Sequence, residues 1–173
     1  MDVFEAIKGR RSIRAFKKRE VLDEDVAKLV DAAVWAPSAG NIQPWEFIII
    51  RKPELKRAIV QAAWEQSFIE EAPVVIVVCA NENRSSQRYD DRGKTLYSLQ
   101  DTAAAIQNIH LAAYSLGLGT CWIGAFKEQE VRQILKVPPG IRPVAIVPVG
   151  YAAESVSPRS KRPKDQFVHY ETF

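Results

Sequence analysis

The stretch that decides the fold is Val74-Val75-Ile76-Val77-Val78-Cys79-Ala80, seven consecutive apolar residues that follow Pro73. Most of them are β-branched, and β-branched residues favour an extended backbone. Because the run contains no polar residue, neither face of the strand that it forms can meet water. The run therefore predicts a central strand that is covered by helices on both sides.

The rest of the chain supplies the elements that surround this strand. Gly117 and Gly119 end a long alanine-rich helix, and Asp23 is a plausible N-cap for an earlier amphipathic helix. Residues 81–94 are polar and are predicted to form a loop or surface excursion. Periodicity and Pro/Gly signals predict further strands at 45–50, 120–123 and 144–149 and helices at 2–9, 23–36, 53–66, 96–116 and 128–135, with a short helical piece at 68–72.

About four strands and five helices in this order predict an α+β sandwich, with helices around one mostly antiparallel or mixed sheet. A glycine-rich GxGxxG turn after the first strand is missing, which argues against a doubly wound nucleotide-binding fold. The length of 173 residues favours one domain, 1–173.

Composition narrows the class of protein. The chain is 47% hydrophobic and 26% charged, which is ordinary for globular proteins, and no apolar run is long enough to predict a membrane span. The acidic, amphipathic start does not resemble a secretory signal. Cys79 and Cys121 lie in apolar stretches, which favours reduced core thiols in a cytoplasmic protein over metal ligands.

The net charge of +3 is unevenly distributed, because two short basic segments lie near opposite ends of the chain. They could converge on one anion, remain two solvated surfaces, or form a nucleic-acid patch. Interleaved aromatics and a recognition helix are missing, so nucleic acid is the least favoured partner. The segments hold six and four of the 24 basic residues, namely Arg10, Arg11, Arg14, Lys17, Lys18 and Arg19, and Arg159, Lys161, Arg162 and Lys164.

The first segment contains the motif RRSIR at residues 10–14. In extended backbone Arg10, Ser12 and Arg14 project from one side of the chain. Guanidinium groups and a hydroxyl are suitable donors for phosphate oxygens. The motif therefore indicates either a phosphate site or a solvated basic turn.

A second motif, PSAGNIQPW at residues 37–45, lies between a predicted helix and a predicted strand. Its small residues at 38–40 allow the backbone to approach a flat ligand closely. Asn41 and Gln43 each carry a donor and an acceptor, as the edge of a heterocycle or a polyol requires. The loop indicates a ligand contact more strongly than an ordinary turn does.

Together with GLGTCWIGAF at residues 117–126, these motifs resemble the nitroreductase family of flavoproteins, from the first helix to the basic tail. The resemblance implies a three-layer sandwich and an intertwined homodimer that binds FMN at the subunit interface. In this implied dimer, RRSIR and the tail hold the phosphate of FMN. The 37–43 loop of the opposite subunit lies along the ring and ribityl chain, and the backbone at 124–125 approaches flavin N5. The implied cofactor-binding residues are Arg10, Arg11 (near the ribityl chain), Ser12, Arg14, Pro37, Ser38, Ala39, Asn41, Gln43, Gly124, Ala125, Lys161 and Arg162.

The same resemblance implies a ping-pong oxidoreductase, in which NADH or NADPH gives hydride to flavin N5 and a small acceptor such as a nitroaromatic or quinone then takes it. A specialised dehydrogenase or reductive dehalogenase of a small substrate, or a flavin-binding module without turnover, is the alternative. No protein acid or base is assigned, and His110 in the long helix is expected to be a packing or interface residue.

Overall fold

A four-stranded sheet forms the centre of the protein. The computed structural model describes residues 1–173. The sheet contains β1 (Trp45–Ile50), β2 (Val74–Asn81), β3 (Gly119–Thr120) and β4 (Ile141–Gly150). The strands lie in the order β1-β2-β4-β3, and every neighbouring pair is antiparallel. The prediction of one mostly antiparallel sheet is confirmed.

Seven α-helices surround the sheet: the five predicted helices, a short helix where a helical piece was predicted at 68–72, and a helix at 82–92, which was not predicted. A π-helical turn at Gly93–Tyr97 precedes the longest of them. The helices are α1 (Val3–Gly9), α2 (Asp23–Val34), α3 (Pro53–Ala62), α4 (Phe68–Glu71), α5 (Glu82–Arg92), α6 (Ser98–Ser115) and α7 (Glu128–Leu135).

Strand β2 explains why the molecule has three layers. All residues of the range 74–80 are fully buried. The even-numbered side chains at 74, 76 and 78 pack in a core with α2 and α6, whereas the odd-numbered ones at 75, 77 and 79 pack in a second core with α3, α4 and α7. Because successive side chains of a strand point to opposite faces, only an all-apolar strand can serve both cores. The predicted helix layers on both faces are confirmed.

The prediction of a loop at 81–94 is wrong, because Asn81 ends β2 and residues 82–94 form α5 and the start of the π-helical turn. The segment has no continuous apolar face from which a helix could be predicted. Instead, the Asn81 side chain caps α5 by accepting from the backbone N–H of Arg84 at 3.0 Å. Tertiary contacts add to this, since Arg84 Nε donates to the carbonyl of Ile42 at 2.5 Å.

Three predicted boundaries also differ from the structure. Helix α2 begins at Asp23 with Leu22 as its N-cap, and the Asp23 carboxylate pairs instead with Arg51 at 2.7 Å. Helix α3 ends at Ala62 and not at Gln66, because two residues with left-handed backbone follow it. Strand β3 covers two residues, and Ile123 makes only an isolated bridge to β4.

Apolar side chains remain uncovered on α1, where Val3, Phe4 and Ile7 are 59%, 67% and 49% exposed. The nearby tail, from Pro158 to the end of the chain, is exposed throughout. Such surfaces are typical of chains that associate, and the homodimer stays a prediction. None of the helices has the length and apolar character needed to cross a membrane.

Candidate functional site

Both basic segments border the same cavity, which has a volume of about 550 Å³. The first segment and the tail are about 145 residues apart in sequence, and the fold brings them together. This arrangement favours convergence on one anion among the three alternatives left by the sequence, and the anion itself stays a prediction. The cavity is lined by Ile7, Lys8, Arg10, Arg11, Ser12, Arg14, Val156, Ser157, Pro158, Arg159 and Lys161.

The residues that line this cavity carry positive charge and no negative charge. Lys8, the three arginines of the RRSIR motif, Arg159 and Lys161 line it, and no carboxylate does. None of these six basic side chains forms an ion pair within 4.0 Å. Cations held together without counter-charges repel one another, and a bound anion relieves that repulsion. The cavity is therefore suited to a phosphate or another multivalent anion.

The RRSIR segment is held in place by backbone hydrogen bonds to two distant parts of the chain. Ile13 N donates to the carbonyl of Thr120 at 2.9 Å, and Ala153 N donates to the carbonyl of Ala15 at 2.8 Å. The approach to β3 is so close that a Cβ on Gly119 would lie 2.7 Å from Ile13 Cγ1. A glycine at position 119 is thus required for the segment to reach its place.

The carboxylate of Glu154 also holds the backbone of this segment in place, from outside the basic cavity. One oxygen of Glu154 accepts from the backbone N–H groups of Arg14 and of Ala15, the latter at 3.1 Å. Glu154 lines a smaller neighbouring cavity and not the basic one. Its contribution is therefore to order the backbone that carries Arg14, although its charge lies close to the cations.

The structure separates the predicted phosphate ligands into two groups. Arg10, Ser12, Arg14 and Lys161 line the cavity, as does Arg159, which the predicted set omitted. Arg162 does not line it, because its guanidinium donates to the carbonyl of Gln166 at 2.9 Å and lies over the ring of Phe167. The sequence spacing of the tail did not reveal which basic residues face the cavity.

Arg11 lines the cavity as well, but its guanidinium has other partners. Its Nη1 donates to the carbonyls of Lys8, Gly9 and Arg10 at 2.6, 3.0 and 2.9 Å. These are carbonyls at the C-terminal end of α1, which lack partners within the helix. Arg11 thus caps α1, and its predicted place near a ribityl chain stays a prediction.

The loop at 37–43 has an unusual backbone. Gly40, Asn41 and Gln43 all have φ of 55°, a left-handed value that non-glycine residues rarely adopt. Gln43 N donates to Ser38 Oγ and Gln43 Nε2 donates to Asn41 Oδ1, each at 3.0 Å. The predicted ligands Pro37, Ser38, Ala39, Asn41 and Gln43 therefore share one ordered loop, and none of them lines the basic cavity of the same chain.

Asp101 on α6, which no sequence pattern indicated as a site residue, anchors this loop. Its Oδ1 accepts from the backbone N–H of Ala39 at 3.1 Å, whereas its buried Oδ2 has no hydrogen-bond partner. Burial raises the pKa of the Asp101 carboxyl, an effect that the hydrogen bond from Ala39 opposes. A single aspartate in an alanine-rich helix gave no sequence signal for a contact 62 residues away.

The predicted loop around Gly124 and Ala125 is exposed and lies outside the basic cavity. A Cβ on Gly124 would meet nothing within 4 Å. The carbonyl of Ala125 accepts from Gln66 Nε2 at 3.0 Å. The backbone here is accessible to a ligand, and the side chain of Gln66, which lies beyond the end of α3, fixes its position.

His110 is a buried residue of α6, which confirms the prediction that it packs. Its Nδ1 lies 2.6 Å from Thr120 Oγ1, its ring is stacked on Trp122 at 5.9 Å, and its Nε2 has no partner. Burial, with a smaller contribution from the charge of Arg10, lowers the pKa of His110 from 6.5 to about 4. The imidazole is thus neutral near pH 7.

This neutral histidine predicts an acid-sensitive fold. Because the unfolded chain binds a proton at His110 near pH 6.5 and the folded chain does so only near pH 4, lowering the pH through that window favours unfolding. Between pH 7 and pH 4.5 we expect His110 to account for about 2 kcal/mol of lost stability. The His110→Gln variant should lose correspondingly less across the same interval.

Urea unfolding at the two pH values, at one protein concentration, measures this difference. Any constant cost of the His110→Gln change cancels when the two pH values are compared within each protein. An equal loss of stability in the variant and the unsubstituted protein would show that His110 is not the group that titrates.

Comparisons with known proteins agree on one family. The sequence model of the Nitroreductase family matches residues 7–70 and 61–151. A relative from Methanothermobacter thermautotrophicus, provisionally named NADH dehydrogenase/NAD(P)H nitroreductase, is 37% identical over 99% of this chain and 87% of its own length. The FMN reductase (NADPH) of Bacillus subtilis is 29% identical over 99% of this chain and 74% of its own length.

Solved structures show the same similarity. A nitroreductase from Bacillus subtilis superposes with a TM-score of 0.89 at 29% identity, covering 99% of this chain and 74% of that chain. The antiparallel sheet with helices on both faces is thus a known architecture, and the three-layer fold expected from the sequence motifs is confirmed.

Proposed function

Because this chain belongs to the nitroreductase family, we propose that it is an FMN-dependent oxidoreductase that passes hydride from NADH or NADPH, through flavin N5, to a small electron acceptor. Relatives that carry the names FMN reductase and NAD(P)H nitroreductase support this proposal. The acceptor is a nitroaromatic, a quinone or a similar small molecule. Reductant and acceptor use the same face in turn, which makes the cycle ping-pong.

The basic cavity is the observation that carries the proposal. FMN ends in a phosphate monoester, and arginine forks with a serine hydroxyl provide the donors that such a group needs. Arg10, Ser12 and Arg14 would hold it from one wall, and Arg159 and Lys161 from the other. The residues present therefore fit the phosphate end of the cofactor.

The flavin site is proposed to need two copies of the chain. The 37–43 loop, whose carboxamides and small residues suit a flavin ring, does not line the basic cavity of its own chain. A second copy can supply it if the copies meet through exposed apolar surface, which α1 offers with Phe4 at 67% exposure. The exposed tail would be covered in the same dimer.

The chain's own task is to bind, orient and polarise the cofactor, whose N5 accepts and releases hydride. The exposed backbone at Gly124 and Ala125 offers N–H donors for that edge of the ring. His110 is neutral and buried, and its Nδ1 is paired with Thr120. We therefore assign no protein side chain as an acid or base.

The support given by Glu154 predicts opposite results for two substitutions. Glu154→Ala removes the acceptor for the N–H groups of Arg14 and Ala15, and we expect FMN affinity to fall by about tenfold because a hydrogen bond to a charged group contributes about 1.5–3 kcal/mol. Glu154→Gln keeps an acceptor and removes a negative charge near the cavity. That variant should bind FMN at least as tightly as the unsubstituted protein.

Quenching of flavin fluorescence during titration gives both dissociation constants. If Glu154→Gln weakened binding as much as Glu154→Ala did, the carboxylate charge, and not its hydrogen bonds, would be what the site requires.

An absorbance spectrum tests the proposed function itself. The purified protein, reconstituted with FMN and freed of excess, should show flavin bands near about 370 and 450 nm that bleach when NADH or NADPH is added without oxygen. Adding a nitroaromatic or a quinone should then restore the bands. A protein that retains no FMN would overturn the proposal, and one that retains FMN without being reduced would be a binding module.

A further inference from the structure

Gln66 connects the end of α3 to the loop at residues 124–126. Its Nε2 donates to the carbonyl of Ala125 at 3.0 Å and to the carbonyl of Ala63 at 2.8 Å. A primary amide has two N–H donors, and here one nitrogen serves two carbonyls. A single side chain therefore fixes the position of Ala125 relative to the core helix α3.

The backbone before Gln66 is bent in a way that makes this contact possible. Trp64 and Glu65 have φ of 56° and 57°, two consecutive left-handed residues without a glycine. Glu65 N donates to the carbonyl of Val60 at 3.0 Å, which closes the turn at the helix end. Strained backbone of this kind is concentrated at functional sites, and here it delivers the carboxamide of Gln66 to the loop.

A second hydrogen bond ties the same loop to the same helix. Lys127 N donates to the carbonyl of Ala62 at 2.8 Å. Between the two ties, Phe126 packs partly buried against the second core. The loop is therefore held on both sides of Phe126, and only one of the two ties is made by a side chain that can be changed without altering the backbone.

We propose that Gln66 is a positioning residue for hydride transfer, which fixes the 124–126 loop so that its backbone N–H groups meet the reactive edge of the flavin. This inference rests on the proposed function, in which that loop approaches N5. Gln66 itself need not touch the cofactor. Because transfer between bound groups depends on their alignment to within about half an ångström, a loosened loop slows the reaction more than it weakens binding.

The test compares Gln66→Met with a matched control, Gln61→Met. Both changes replace a carboxamide by a thioether of similar length, and Gln61 is an exposed residue of α3. For the FMN-loaded proteins we expect the limiting rate of anaerobic flavin reduction to fall about fivefold in Gln66→Met, as the loss of one ordinary hydrogen bond implies. FMN content and the half-saturating NADH or NADPH concentration should stay unchanged, and Gln61→Met should react at the original rate.

Gln66→Glu adds a test that does not depend on the size of the side chain. An ionised glutamate cannot donate to either carbonyl, whereas a protonated one can. At pH 8 reduction by this variant should be at least as slow as by Gln66→Met, because an ionised glutamate makes neither hydrogen bond and repels both carbonyls. A residue that only filled space would tolerate glutamate, which is close to glutamine in size.

The outcomes separate this inference from the function on which it rests. If the unsubstituted protein binds no FMN, the proposed function fails. If it is reduced normally and Gln66→Met is reduced just as fast, the inference about Gln66 is overturned. The inference is also overturned if Gln66→Glu is reduced as fast as the unsubstituted protein at pH 8, or if both glutamine-to-methionine variants slow the reaction equally.

Discussion

Replacing Arg10 or Arg14 by alanine is expected to weaken FMN binding by about 10- to 100-fold. Each side chain lines the basic cavity and has no ion-pair partner to which its charge is committed. A hydrogen bond between a guanidinium and a phosphate contributes about 1.5–3 kcal/mol, and about 1.4 kcal/mol corresponds to a tenfold change in affinity. Titration of the apoprotein, followed by quenching of flavin fluorescence, gives the dissociation constants.

Arg57→Ala is the matched control, because Arg57 lies on α3 and pairs only at 3.9 Å with Glu70. It removes one positive charge without touching the cavity. Its FMN affinity should remain close to that of the unsubstituted protein. Equal losses of affinity in Arg57→Ala and in Arg10→Ala would show that only the net charge of the protein affects FMN binding. Unchanged affinity in Arg10→Ala and Arg14→Ala would contradict the phosphate assignment.

Deletion of residues 155–173 is expected to weaken FMN binding by about 100-fold or more. The deletion removes Arg159 and Lys161, and so two cations of one cavity wall; two hydrogen bonds to a charged group together contribute about 3–6 kcal/mol. Apart from Val156, which packs partly buried against the second core, the deleted residues are exposed, so the deletion should leave the sheet and both cores folded. The dimer should also weaken if the tail is covered there.

A shorter deletion, of residues 168–173, serves as the control. It leaves every residue of the basic cavity in place and removes only exposed chain beyond it. FMN affinity should then be retained. Should the longer deletion bind FMN as well as the full chain, the tail would have no part in the site; should both deletions lose FMN equally, the last six residues would be what matters.

The fold was predictable because one strand carries most of the information about it. An all-apolar run at 74–80 has to be covered on both faces, and the alternation of its side chains assigns a core to each face. The same reasoning failed at α5, because a polar helix shows no apolar periodicity. Its stability comes from contacts such as Arg84 to Ile42, which link residues 42 positions apart.

The residues of the candidate site could be found from the sequence, but the groups that support them could not. Basic residues at both ends of the chain left a common anion as one of three possibilities, and the fold brings Arg10 and Lys161 to one cavity. Glu154, Asp101 and Gln66 act on backbone groups of segments 140, 62 and 59 positions away. Contacts of this kind depend on tertiary structure alone, and the local sequence does not mark the residues that make them.

Sedimentation velocity recorded at about 450 nm, where only bound or free flavin absorbs, tests most directly the claim that FMN lies between two subunits. The protein is loaded with FMN and diluted through a range of concentrations. We expect flavin absorbance to sediment with a species of twice the mass of the chain, and dilution to release flavin as the dimer separates. Flavin absorbance that sediments with the single chain would contradict it.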